Sequence, residues 1–384
     1  MMAAARGPEV RCDAGRIARR RGPRGKAFPR VDVRRLQGFP LRRYEGAVLR
    51  GRWGRTVPVA GAFWTGRMKP RIAVLGCGYW GSNHIRTLKS LGALHAVSDV
   101  NAARAEGFSV EHECLAIEPD ALFARDDVDA IVMALPPQHH AASAIRAVEA
   151  GKDVLVEKPI ALSVADAERA VAAARANGRI FMVGHVLRFH PAFEQLKQLI
   201  DAGELGEVKY IHSHRLGLGK FHTENDALWD LAPHDLSMIL AITGVAPIEV
   251  RGEGAAVLDH LSDFAHLHMR FPGGLRSHLF TSRLNPYRER RLAVVGTRAM
   301  AVFDDVEGWS RKLAVYRHAV WQDSGQWAFT ANEPTYVPVA EGAPLTRELQ
   351  HFIHCIETRE EPLTGGRDAI DVLRILTAGT VGHD

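Results

Sequence analysis

RIAVLGCGYWG (71–81) carries an apolar run directly into the pattern G-x-G-x-x-G, and the fold depends on what lies on either side of it. RIAVLG (71–76) has the unbroken hydrophobicity of a strand buried on both faces. A helix is predicted over roughly 80–91, then a second strand, ALHAVSD (93–99), whose last residue, Asp99, stands 23 positions after Gly76. Strand, glycine turn, helix, strand and terminal acid form the dinucleotide-binding pattern, far more specific than the glycines alone. Gly76 permits the tight turn, Gly78 removes a Cβ from the path of a pyrophosphate, and Gly81 lets helix and strand pack closely. Free N–H groups at the helix start face the phosphates, so Gly76, Gly78, Tyr79, Trp80 and Gly81 are all assigned to the cofactor. Asp99 is expected to accept from the adenosine ribose hydroxyls and to repel a 2′-phosphate, which favours NAD over NADP. A glycine-rich turn without a ligand is the alternative.

Outward from this turn, strands and helices alternate. Further strands are predicted over 128–136, 153–158 and 179–184, and helices over 139–151 and 164–178. That order implies a doubly wound parallel sheet with helices on both faces, a Rossmann domain over 68–190. After about residue 190 the strands alternate apolar and polar residues and are joined by tight turns such as FPGG (271–274). An α+β domain over 191–384 is expected, with a mostly antiparallel open sheet and closing helices over 346–360 and 367–379.

The formal charge of +5 is unevenly spread. Residues 1–67 hold 17 basic and 4 acidic residues, leaving 32 basic and 40 acidic in 68–384. The folded part is therefore acidic, and its composition gives no case for nucleic-acid binding. No apolar run reaches the ~18 residues that a bilayer span needs. Cys12, Cys77, Cys114 and Cys355 include no CxxC pair, which suits a reducing cytoplasm. Residues 1–67 are rich in Arg, Gly and Pro and lack both serine and an apolar signal core. They read as an over-extended start, with Met68 the initiator, or as a disordered basic tail.

Three later stretches carry candidate chemistry. LPPQHHAA (135–142) ends a strand on the cofactor edge of the sheet, so Pro136 and His140 are cofactor candidates, although His140 could instead cap the next helix. In VLVEKPIA (154–161), Lys158 ends a strand on the same edge and Pro159 restricts its backbone. An ammonium fixed there stabilises a developing alkoxide, with Glu157 expected to orient it through a charge-assisted bond; a surface ion pair is the plain alternative. WDLAPHDLSMIL (229–240) sets Asp230 and His234 four apart on one helical face. Pro233 suits a first helical turn, which would put His234 near a helix N-terminus, where the dipole disfavours imidazolium. His234 then reads as the base and Asp230 as its orienter. An N-cap aspartate beside a packed histidine is the commoner meaning of such spacing.

GCGYWG, VLVEKP and WDLAPHD together resemble the glucose–fructose oxidoreductase/inositol dehydrogenase (Gfo/Idh/MocA) superfamily, over essentially all of 68–384. VGHVLRFHP (183–191) fits as well. The resemblance implies an NAD-dependent sugar dehydrogenase with Lys158, Asp230 and His234 as catalytic residues, a cis Lys–Pro peptide and no metal. Leu135 departs from the threonine common there. GKFHTENDALWDLAPHDLSMIL and LNPYRERRLAVVGTRAMAVFDD resemble the branch that oxidises UDP-N-acetylglucosamine or its uronic acid at C3. Such a substrate needs cations, for which Arg188 and Lys220 are the named candidates among Arg188, Arg215, Lys220, Arg283, Arg288, Arg290 and Arg291. Alternatives are a free sugar or inositol dehydrogenase, a non-catalytic NAD/sugar-nucleotide sensor, and a metal protein using His212, His214, His222 and His234. The uncovered sheet face implies a homo-oligomer, a dimer or tetramer.

Overall fold

Ile72–Leu75 form β1, buried at every position, which is why the segment shows no polar alternation. The computed structural model describes residues 69–219, 221, 226–258 and 260–380. The expected extension (1–67), Met68, Lys220 and His222 lie outside the described residues. β1 is joined in one sheet by β2 (Leu94–Ser98), β3 (Leu115–Ala116), β4 (Ala130–Met133), β5 (Asp153–Val156) and β6 (Phe181–Val183). Every pairing is parallel and the order is β3-β2-β1-β4-β5-β6. The connections carry α1 (Tyr79–Leu91), α2 (Ala102–His112), α3 (Pro119–Leu122), α4 (His140–Glu149) and α5 (Val164–Ala176). The order reverses between β1 and β4, and the crevice beyond the carboxyl ends of the strands opens at that switch point.

α6 (Pro191–Asp201) leads into the second sheet. Its strands are β7 (Val208–Leu218), β8 (Glu249–Ala255), β9 (Phe264–Arg270), β10 (Arg276–Ser282), β11 (Leu284–Gly296), β12 (Met300–Asp304), β13 (Leu313–Tyr316) and β16 (Thr335–Tyr336), with β14 (Ala319–Asp323) and β15 (Gln326–Thr330) forming a separate hairpin. α7 (Ala227–Thr243) follows β7, and α8 (Pro344–Thr358) and α9 (Gly366–Gly379) close the chain. The order β16-β13-β12-β11-β7-β10-β9-β8 is antiparallel except where β7 meets β10. The FPGG turn joins β9 to β10, with Gly273 and Gly274 at φ 78° and 85°, where glycine carries no Cβ penalty. Leu267, Met269, Leu279 and Ile211 bury one sheet face in a core shared with Leu236 and Ile239 of α7 and Leu376 of α9.

The closing helices do not stay with the second sheet. Leu349, Phe352 and Cys355 of α8 share a core with Ile72, Val74 and Ile85 of the first. Ala369 and Leu373 of α9 pack with Val156 and Ala170. The chain thus returns to the Rossmann unit after completing the second sheet, and the two units share these helices.

Candidate active site

The glycine turn is built as its spacing requires. Gly76 has φ 95°, and a Cβ there would lie 2.5 Å from the Ala134 carbonyl. A Cβ on Gly81 would lie 1.8 Å from the Gly76 carbonyl, so α1 approaches β1 too closely for any side chain. Gly78, the N-cap of α1, has open space where its Cβ would stand. That cradle beside free helix N–H groups fits a pyrophosphate. Tyr79 is exposed and Trp80 half-buried at its rim.

Asp99 is bound into the turn. Its Oδ2 accepts from the Cys77 N–H at 2.7 Å and its Oδ1 from the Asn101 N–H at 2.8 Å. Oδ1 keeps a further lone pair for a ribose hydroxyl. The half-exposed Arg104 guanidinium stands 3.4 Å from Oδ2.

Lys158 follows β5 and is joined to Pro159 by a cis peptide bond. Its Nζ, 11 % exposed, donates to the Asp230 carbonyl at 3.0 Å and approaches Asp230 Oδ1 at 3.4 Å. The lysine therefore bridges the end of the first sheet to α7. The bond expected between Glu157 and the ammonium is absent. Glu157 Oε1 is instead bonded to His84 Nε2 at 2.7 Å, and Oε2 accepts the backbone N–H of Lys158 at 3.2 Å. Residue 157 points back into the sheet because successive strand residues alternate faces.

α7 starts earlier than expected. Asp226 is its N-cap, accepting from the Trp229 N–H at 2.8 Å, so Pro233 lies inside the helix and His234 is its eighth residue. The dipole argument thus fails for His234, because that effect fades beyond the first turn. The imidazole is nevertheless held well below its ordinary pKa, first by burial and then by the positive charge of Lys158. Its Nδ1 is buried without a hydrogen-bond partner. Asp230, one turn earlier on the same helix, reaches Lys158.

His140 corrects another expectation. It is 1 % exposed, with Nδ1 at 2.7 Å from the Pro159 carbonyl and Nε2 at 2.8 Å from the Leu135 carbonyl. It ties the loop after β4 to the turn after Lys158 and does not face the crevice; Pro136 beside it is exposed. His212 and His214 are on the sheet face away from α7, since Ser213 and Arg215 between them bond Asp235 of that helix. Among the described residues, no group of three or more His, Cys, Asp or Glu could hold a metal.

The arginines separate into two sets. Arg215 pairs with Asp235, Arg283 with Asp263, and Arg291 with Asp304. Arg290 differs: its Nε is buried without a partner, and burial, then Arg215 and Arg288, hold it down at about 10. It acts electrostatically on His234. Arg188 follows β6, reaches the Ser237 carbonyl of α7 at 3.4 Å and acts on His185.

A nucleotide cradle and a lysine at one sheet edge, with an aspartate and a histidine brought beside the lysine by α7, define a dinucleotide-dependent oxidoreductase. Residues 70–185 match the oxidoreductase family, NAD-binding Rossmann fold, and residues 193–302 match the GFO/IDH/MocA C-terminal domain. The chain belongs to the Gfo/Idh/MocA oxidoreductase family. It is 33 % identical over 288 residues to UDP-N-acetylglucosamine 3-dehydrogenase of Acidithiobacillus ferrooxidans, covering 74 % of this chain and 88 % of that protein. It is 27 % identical over 327 residues to the NAD-dependent scyllo-inositol 2-dehydrogenase of Bacillus subtilis, covering 81 % and 93 %. A solved structure of the Acidithiobacillus enzyme superposes with a TM-score of 0.72 at 28 % identity, covering 82 % of this chain and 97 % of that one.

Proposed function

We propose that the protein oxidises a secondary hydroxyl of a UDP-N-acetylhexosamine, or of its uronic acid, to the ketone at C3, with NAD as the hydride acceptor. The observation that carries the substrate class is Arg290, a half-buried guanidinium whose Nε has no hydrogen-bond partner and on which the positive charges of Arg215 and Arg288 act more strongly than the carboxylates of Asp235 and Asp305. Cations concentrated in this way are stabilised by a diphosphate or carboxylate. A free inositol supplies neither. The likeness to the Acidithiobacillus UDP-N-acetylglucosamine 3-dehydrogenase supports the same choice.

The residues divide the work. Two Lys158 ammonium hydrogens are turned to Asp230, and the third is free to donate to the sugar oxygen as negative charge develops on it. His234, neutral at working pH, takes the hydroxyl proton as C=O forms, and NAD held in the glycine cradle would supply the acceptor for the C–H hydride. Asp230 holds Lys158 and balances the imidazolium. Arg188 is a second substrate contact, and Lys220 remains a candidate from sequence. Asp99 supports NAD over NADP by repelling a 2′-phosphate, while Arg104 beside it is the feature that would tolerate one.

The three described cysteines are free, which supports a reducing compartment such as the cytoplasm. The uncovered face of the second sheet supports a homo-oligomer. The deciding experiment follows reduced-nicotinamide absorbance with UDP-N-acetylglucosamine, its uronic acid and myo-inositol, each with NAD and with NADP. Reduction with a UDP-sugar and NAD is expected. Reduction with inositol alone would assign Arg290 another role.

A further inference from the structure

We propose that His84 is a positioning residue for this oxidation: acting through Glu157, it fixes the Lys158 backbone relative to the cofactor-binding turn. The connection is a continuous chain of short contacts. α1 begins at the glycine cradle, and His84 lies on it, fully buried. Its Nε2 meets Glu157 Oε1 at 2.7 Å, and Glu157 Oε2 accepts the Lys158 N–H at 3.2 Å. His84 Nδ1 has no partner, so the neutral tautomer with the proton on Nε2 satisfies the contact. The Glu157 N–H donates to the Met133 carbonyl at 2.9 Å, which fixes the carboxylate's own backbone. Across from it, a Cβ on Gly184 would come within 3.1 Å of Oε2, so the carboxylate fills space that a side chain there would need.

Stability alone does not account for this arrangement. A buried polar pair is often no better for stability than well-packed apolar side chains at both positions, whereas leucine at 84 alone leaves Glu157 Oε1 without its partner. Glu348 of α8 adds to the cost: its carboxyl is fully buried with both oxygens unpartnered, and burial, then Glu157, hold it well above the ordinary range. Two buried carboxyl groups, Glu157 and Glu348, thus stand close together in the interior. Geometric precision is the return. The cradle that seats the pyrophosphate and the residue that meets the sugar oxygen are joined by one rigid path, and Asp230 fixes the other end of Lys158.

The proposal rests on the sugar-oxidation reading, and its test uses His84→Leu, His84→Gln and His84→Asn in the full chain. A glutamine can donate to Glu157 from a similar reach, while leucine cannot donate and asparagine is a methylene short. For His84→Leu, kcat with NAD and the UDP-sugar should fall about 30-fold with the sugar KM and NAD affinity within about threefold, because a small misplacement of a catalytic group costs rate more than binding. His84→Gln should recover to within about fivefold of wild type. An undiminished kcat in His84→Leu, or equal losses in the leucine and glutamine variants, overturns the proposal. If the leucine variant is insoluble, equal rates for glutamine and asparagine overturn it instead. Acetic anhydride labelling of Lys158, read by peptide mass spectrometry on NAD-saturated protein, needs no substrate. There His84→Leu should change Lys158 reactivity by about threefold or more and His84→Gln should not, as expected when only the former displaces the lysine. Unchanged reactivity in the soluble variant that lacks the bond counts against His84. Wild-type protein that reduces NAD with no sugar would refute the sugar reading, leaving the labelling to judge His84.

Discussion

The proposed mechanism gives Lys158 and His234 different tasks, and substitution separates them. Lys158→Ala removes the donor to the sugar oxygen while leaving the glycine cradle intact, so kcat should fall by about 10²–10⁴ with NAD affinity nearly unchanged. Stopped-flow hydride transfer and a cofactor titration measure the two separately. His234 makes a pH prediction of definite sign. The base must be unprotonated to take the hydroxyl proton, and its pKa lies well below the ordinary imidazole value. The acid limb of kcat/KM should therefore fall below about pH 6.5, not at it. A limb at or above that value would exclude His234 as the titrating base. At this scale the sequence revealed identities better than contacts. The motifs singled out Lys158, Asp230 and His234 as candidates, and the structure brings Lys158 to Asp230. His84 was not, because a lone histidine on a helix gives no sign that a carboxylate 73 residues away ends the neighbouring buried strand.

At the scale of the element, the strand–turn–helix over 72–91 was readable because each glycine does one steric task. Gly78→Ala meets open space and φ −73°, so its stability should change by no more than about 0.5 kcal/mol while NAD affinity falls at least tenfold, roughly the 1.4 kcal/mol of one lost phosphate-facing approach. Gly81→Ala drives a Cβ into the Gly76 carbonyl and should cost about 2 kcal/mol or more of stability. Paired denaturation curves and cofactor titrations distinguish the two outcomes; equal destabilisation would mean that Gly78 serves packing too. α7 was misread for an equally physical reason. Pro233 resembles a first-turn proline, whereas the true N-cap, Asp226, precedes the motif and the buried helix tolerates an interior proline. The position of α8 was illegible as well. Its apolar periodicity reports that one face is buried and is silent about which sheet buries it.

For the whole molecule, buried neutral histidines set the response to acid. On the open sheet face, register aligns His212, His278 and His268 across β7, β10 and β9, with His278 and His268 rings 4.6 Å apart. Burial, then His268 and His266, pull His278 down to about 4. Burial, then Arg188, pull His185 to about 3, and burial, then His354, pull His351 to about 4. Unfolded histidine titrates near 6.5. Below that pH the unfolded chain binds protons that the folded chain refuses, so stability present above about pH 6.5 is lost as pH falls toward 4. Glu348 works in the opposite sense, since its folded carboxyl keeps a proton that the unfolded one releases. A fully linked group such as His185 contributes about 1.4 kcal/mol per pH unit in this window, and His278, partly reached by solvent, contributes less. Urea midpoints should therefore drop steadily between pH 7 and 5, a range in which ordinary carboxylates hardly titrate. His278→Gln should flatten part of the slope and Glu348→Gln should steepen it. In Glu348→Gln, where the opposing group is gone, a midpoint independent of pH across that range would mean that these imidazoles accept protons in the folded protein as readily as in the unfolded chain.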